Sequence, residues 1–200
     1  MPKLWSETVE THRQEVREAI LDAAGKLVLD RGLLAVTMSD IAEATGIGRA
    51  TLYKYFSDVE EILSAWHQRL VLGHLAELEA IRNRTEDPAE RIRAVLQAYA
   101  HICRQRRRHG GDELTVALHR GQQVRRLQSR LLDLMTGVIA EAADAGVIRQ
   151  DVPARALASY CIHALGAAAS ASSTTTITRL IDLVWAGMTS TGPLGVVMRH

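Results

Sequence analysis

Twenty residues near the N-terminus, Thr37 to Phe56, read TMSDIAEATGIGRATLYKYF. Ile41, Ala42 and Ala44 mark a short amphipathic helix, Gly46 breaks it, and a second short helix is predicted over Gly48–Tyr55. Thr37 and Asp40 have capping-box spacing, so the start of the pair is specified as well as its turn. In the second helix Leu52 and Phe56 lie four residues apart and share one face, with Ile47 just ahead of them. That face packs inward against the first helix. The opposite face then carries Arg49, Ala50, Tyr53 and Lys54.

Helix, glycine turn and short second helix form the helix-turn-helix pattern, in which the second helix enters a DNA major groove. The outward residue types suit that use. Arg49 near the helix start can take a guanine edge with two hydrogen bonds, and Ala50 allows close approach and contact with a thymine methyl. Thr51 offers a hydroxyl and a methyl. Tyr53 and Tyr55 can donate phenol hydrogen bonds to phosphate, Lys54 adds charge, and Thr37 begins a helix whose first amides are free for another phosphate. The competing reading is a small helical bundle with these side chains merely at the surface. Capping signals on both sides of the segment favour the first reading.

The remaining chain reads as helix throughout. Val16, Ala19, Ile20, Ala23, Ala24, Leu27 and Val28 give a helical stripe over Gln14–Arg31, with Gly32 as its C-terminal cap. Ser57 and Glu60 repeat the capping spacing ahead of a long helix through Trp66 and Leu78. Asp87-Pro88 opens a fifth helix to about Arg107. A short sixth segment is expected over 112–119, a seventh helix to about Ala145, an eighth from Asp151 to about Ala169 and a ninth over Thr176–Met188, followed by a loose tail. The expected fold is all-α with about nine helices, divided as residues 1–56 and 57–200.

Composition agrees and sets limits. Hydrophobic residues are 47% of 200, enough for a core, and aromatics only 4%, which with abundant Ala, Leu and Arg favours helix over sheet. Residues 1–70 hold 8 Lys/Arg against 11 Asp/Glu, so any duplex contact there rests on a few placed cations. Cys103 and Cys161 lie far apart and outside any CxxC, and neither a signal core nor a membrane-length apolar run is evident, so a cytoplasmic protein is expected.

The stretch TMSDIAEATGIGRATLYKYFSDVEEIL resembles the DNA-binding domain of TetR-family transcriptional regulators, through Thr37, Ile41-Ala42, Ala44, Gly46, Leu52-Tyr53, Phe56 and Leu63. The resemblance covers about Glu15–Leu70. It implies a homodimeric regulator, commonly a repressor, bound to a near-palindromic operator and released by a small molecule. By the same resemblance Gly48–Tyr55 is the recognition helix, Tyr53 and Tyr55 contact phosphates or base edges, and Thr37 is a phosphate anchor. Val59 stands where the family often has a phosphate-contacting lysine, and Gly48 replaces a commoner polar residue.

Beyond Leu70 the resemblance thins. The last two helices are apolar over broad faces, with small residues at Gly166 and Ala167–Ala169, and suit a four-helix dimer interface. A pocket among the C-terminal helices would be lined by Trp66, Leu70, His74, Tyr99, Cys103, Leu131, Met135 and Tyr160, although such residues at helical spacing are more often plain core. Arg104, Arg106, Arg107 and Arg108 admit an anion site, for instance for an acyl-coenzyme A, but the preferred reading is a solvated helix terminus. No catalytic motif, metal-ligand spacing or cofactor loop is present in the sequence. The alternative from a different class is a helical enzyme or metal-dependent protein using His101, Cys161 and His163.

Overall fold

The computed structural model describes residues 3–108 and 122–189, and every regular element within them is helical. The order is α1 (Lys3–Arg31), α2 (Met38–Thr45), α3 (Arg49–Leu52), α4 (Val59–Arg84), α5 (Pro88–Arg108), α6 (Gln122–Asp144), α7 (Ala154–Gly166) and α8 (Thr174–Thr189), with short 3-10 turns at Leu33–Ala35 and Ala167–Ser170. The all-α expectation holds. The short segment expected over 112–119 and the expected loose tail lie outside the described residues.

Stops and starts follow local chemistry. Gly32 (φ 81°) and Gly46 (φ 71°) end α1 and α2 in the left-handed region, where a side chain would be strained. At the start of α2 the capping box is complete: Asp40 N–H donates to Thr37 Oγ1 at 3.2 Å and Thr37 N–H donates to Asp40 Oδ2 at 3.0 Å.

Several boundaries differ from the expected ones. α1 starts at Lys3, eleven residues before Gln14, because the apolar stripe and not the helix begins near Val16; nothing between breaks a helix. α3 closes at Leu52, and Lys54 and Tyr55 follow in tighter turns whose N–H groups reach Thr51 O and Leu52 O, both at 3.0 Å. α4 is capped one residue later than expected: Asp58 Oδ1 accepts from Glu61 N–H at 2.8 Å, and Glu61 turns back to Ser57 N–H at 2.7 Å. Asp151 does not open α7, because Arg149 holds both its carboxylate oxygens at 2.6 Å. Pro153 stands there instead. α8 begins at Thr174, with Ser173 Oγ accepting from Thr176 N–H at 3.1 Å.

Two compact units result among the described residues, one running to Gly73 and the other taking in 74–107 and 122–189. The division between these units falls inside α4. Ile62, Leu63 and Trp66 belong to the first core, while Leu78 and Ile81 belong to the second. The first core gathers Ile20, Leu21, Ala24 and Val28 of α1, Ile41 of α2, Leu52 and Phe56. On its flank Arg69 of α4 binds Glu18 and Asp22 of α1, the latter at 2.6 Å.

The second core packs α5, α6, α7 and α8 through residues such as Leu96, Ile139, Leu165 and Ile177. Its α4–α5–α6 side is tied by Glu141, which accepts from Arg82 and, at 2.7 Å, from Arg91. Partial burial pushes this carboxyl up, but the bonds from Arg82 and Arg91 outweigh that and hold it below the ordinary glutamate range. A depressed folded pKa contributes stability that is present above the unfolded value and lost as pH falls through the folded one. Glu141→Gln is therefore expected to cost about 1 kcal/mol near neutral pH for so exposed a pair. It should also flatten the acid-side fall in Tm, so a pH series of melts with parallel acid limbs for both proteins would contradict the assignment.

Candidate nucleic-acid interface

The first core seats α3 by one face. Leu52 and Phe56 are fully buried, and Ile47 packs against them from the turn. Gly48, Arg49, Ala50, Thr51, Tyr53 and Lys54 are exposed on the remaining surface of the segment. Tyr53 is 49% exposed, a large value for a tyrosine with no packing role. Tyr55 divides its side chain between solvent and the core, so its ring is anchored while Tyr53 stands free of the core.

Thr37 is exposed at the start of α2, but its side chain is occupied: the hydroxyl donates to Asp40 and accepts from Asp40 N–H. What it leaves for an anion are the first-turn amides behind it, as helix starts generally do. Asp40 is itself held ionised. The Thr37 hydroxyl and then the Thr37 N–H lower its pKa against a desolvation penalty, with Arg31 adding an ion pair at 3.0 Å. The pair ties the end of α1 to the start of α2, a link the residue pattern did not announce. Val59 is half-buried and packs on the first core.

One further contact escaped the sequence reading. The Arg17 guanidinium carbon lies 4.2 Å from the centroid of the Phe56 ring. A signal was available, since Arg17 sits three and four residues before Ile20 and Leu21, on the face of α1 that buries apolar groups.

This arrangement coincides with a match over residues 20–66 to the family described as bacterial regulatory proteins, tetR family. Over these residues the chain matches the TetR family. An HTH-type transcriptional regulator, BetI of Rhizobium meliloti, is 37% identical over 98 residues, 48% of this chain and 45% of that one. The chain thus spans less than half the length of the first curated relatives it matches. Among solved structures, a TetR/AcrR-family regulator from Thermobifida fusca superposes with a TM-score of 0.73 at 21% identity, covering 86% of this chain and 97% of that one. AibR, solved with isovaleryl coenzyme A and operator DNA, superposes with a TM-score of 0.60 at 19% identity, over 86% and 97% of the two chains. These likenesses extend the TetR-like fold over the second unit.

The residues named as pocket lining fall in both units. Trp66 is buried in the first core, and Leu70 packs against that core. Tyr99, Cys103 and Met135 are buried together in the second core, with Leu131 against them. His74 is half-buried on α4, and Tyr160 of α7 is 45% exposed. Arg104 donates to Thr174 Oγ1 at 3.2 Å, at the start of α8. The side chains of Arg106, Arg107 and Arg108 lie outside the described residues. Cys161 is buried, and burial pushes its thiol up to about 12, which disfavours a nucleophilic thiolate. His163 Nδ1 lies 2.7 Å from the Ser159 carbonyl oxygen, and His101 is exposed. Among the described residues no group of three or more His, Cys, Asp or Glu is placed to hold a metal ion, and no helix is long and apolar enough to cross a membrane.

Proposed function

We propose that this chain is a ligand-responsive transcriptional regulator of the TetR family, a repressor that binds a near-palindromic duplex operator as a homodimer. The observation that carries the reading is the outward face of the α3 segment. Arg49, Ala50, Thr51, Tyr53 and Lys54 are all exposed on a segment locked to its domain by Leu52 and Phe56. A short helix so seated can enter a groove without losing packing. The BetI relative is a transcriptional regulator, and the AibR neighbour holds operator DNA, which supports the same use here.

Dimerisation through α7 and α8 fits the surface they leave. Their inner faces fill the second core, yet Tyr160 and Leu183 remain 45% and 65% exposed. A second copy covering them would complete a four-helix bundle. A small molecule would enter the second unit where Tyr99, Cys103, Leu131 and Met135 lie together. Because those side chains are packed, a ligand there repacks the core and favours another arrangement of the dimer. Operator binding needs recognition helices about 34–36 Å apart, and a ligand that favours another spacing empties the operator.

Selection of duplexes from a random-sequence pool by the purified protein tests this reading. Enriched sequences should carry two-fold related half-sites centred about one helical turn, or a multiple of it, apart. A pool that stays random through successive rounds would refute it.

A further inference from the structure

Within the first unit, cations differ in what they are committed to. Arg31 is neutralised by Asp40, and Arg69 by Glu18 and Asp22. Arg17 has no carboxylate within ion-pair distance among the described residues; its guanidinium lies over Phe56 instead. Its neighbour Glu18 is already taken by Arg69.

The position of Arg17 is set by helix geometry. It precedes Ile20, Leu21 and Ala24 by three, four and seven residues, so it continues their buried stripe toward the N-terminal end of α1. The stripe turns from apolar to basic there, with exposed Arg13 one turn further on the same face. Phe56 ends the recognition segment, its N–H bonded to Leu52 O at 3.1 Å. Arg17 therefore caps the inward face of the segment whose outward face carries Tyr53 and Lys54.

A guanidinium laid on a ring keeps its in-plane N–H groups for other acceptors, and the stack fixes its orientation. Phosphate oxygens are its best match, since a planar fork can donate to two of them. We propose that Arg17 is a phosphate-contacting residue of the duplex interface, held by Phe56 so that it donates to a backbone phosphate beside the groove that α3 enters. The inference rests on the proposed DNA-binding function. In a unit whose first 70 residues carry more acids than bases, one cation oriented by a ring and, among the described residues, outside any ion pair is a substantial share of the available attraction.

The test is the salt dependence of binding to a mixed-sequence duplex of roughly three turns, about 30 base pairs. Arg17→Met keeps a long apolar stem on Phe56 and removes the charge; Arg17→Lys keeps the charge. Loss of one phosphate contact should make the slope of log K against log salt shallower by about 0.9 for Arg17→Met, and weaken binding about equally on all sequences. The slope should stay near wild type for Arg17→Lys. An unchanged slope for a folded Arg17→Met protein overturns the assignment while leaving the functional reading intact. Should Arg17→Met fail to fold, the Arg17 Nε–Hε resonance of the wild type decides. It should shift and sharpen as duplex is added, and a resonance indifferent to saturating DNA overturns the proposal. A wild type that binds no duplex at low salt removes the functional reading and this inference together.

Discussion

Arg49→Ala should weaken binding to a selected duplex by roughly 5- to 150-fold, the effect of about 1–3 kcal/mol for a lost bidentate base contact. The melting temperature should stay within a degree or two. The asymmetry follows from placement. Arg49 is exposed at the first turn of α3, and among the described residues it makes no ion pair. The fold therefore loses nothing when it is cut back, while the groove loses its best guanine reader. The loss should also depend on sequence: near-complete discrimination at one base pair in each half-site should relax, whereas affinity for random duplex changes little. Tyr53→Ala serves as the companion, since Tyr53 is equally free of the core but suited to phosphate, and its effect should be spread over all sequences. Binding titrations and melts on the same preparations check both. Normal operator affinity in both variants would mean that α3 does not enter the groove.

A second large effect is expected at Trp66, of the opposite kind. Trp66→Ala should destabilise the first unit by about 3–5 kcal/mol, as removal of a large buried aromatic does. The indole is 6% exposed and lies directly over Gly25 of α1, so closely that a Cβ on Gly25 would overlap it. Gly25→Val should be destabilising for the complementary reason, by about 1–3 kcal/mol of overpacking. A ligand-lining tryptophan would behave differently. Its truncation would alter effector response and leave the melt nearly untouched. Differential scanning calorimetry of Trp66→Ala separates the two, and an unchanged melt would return Trp66 to a pocket.

These two residues show how the sequence can be read and where it stops. The outward set was legible because Leu52 and Phe56 must face inward, which turns Ala50, Thr51 and Lys54 out, while Arg49 reaches solvent from the first turn of α3. The caps at Thr37, Gly46 and Asp87 were legible because each rests on chemistry within four residues. Trp66 was not, because its spacing on α4 suits either unit, and only the position of Gly25, 41 residues away, decides between them. The Asp40–Arg31 link and the Arg17–Phe56 stack are tertiary for the same reason. Asp151 shows the converse limit. A local capping signal was present, and a competing partner two residues away, Arg149, removed it. On the second unit, periodicity located the helices, but which apolar side chains fill the core and which await a ligand or a second copy depends on packing between helices far apart in sequence.

The most direct measurement is side-chain and amide chemical-shift mapping of the wild-type protein as a selected duplex is titrated in. Perturbations should concentrate on Arg49, Ala50, Thr51, Tyr53 and Lys54 and on the first-turn amides of α2, saturating at one duplex per dimer. Shifts that leave these residues unmoved at saturation, with the changes gathered on α5 or α6 instead, would contradict the placement of α3 in the groove.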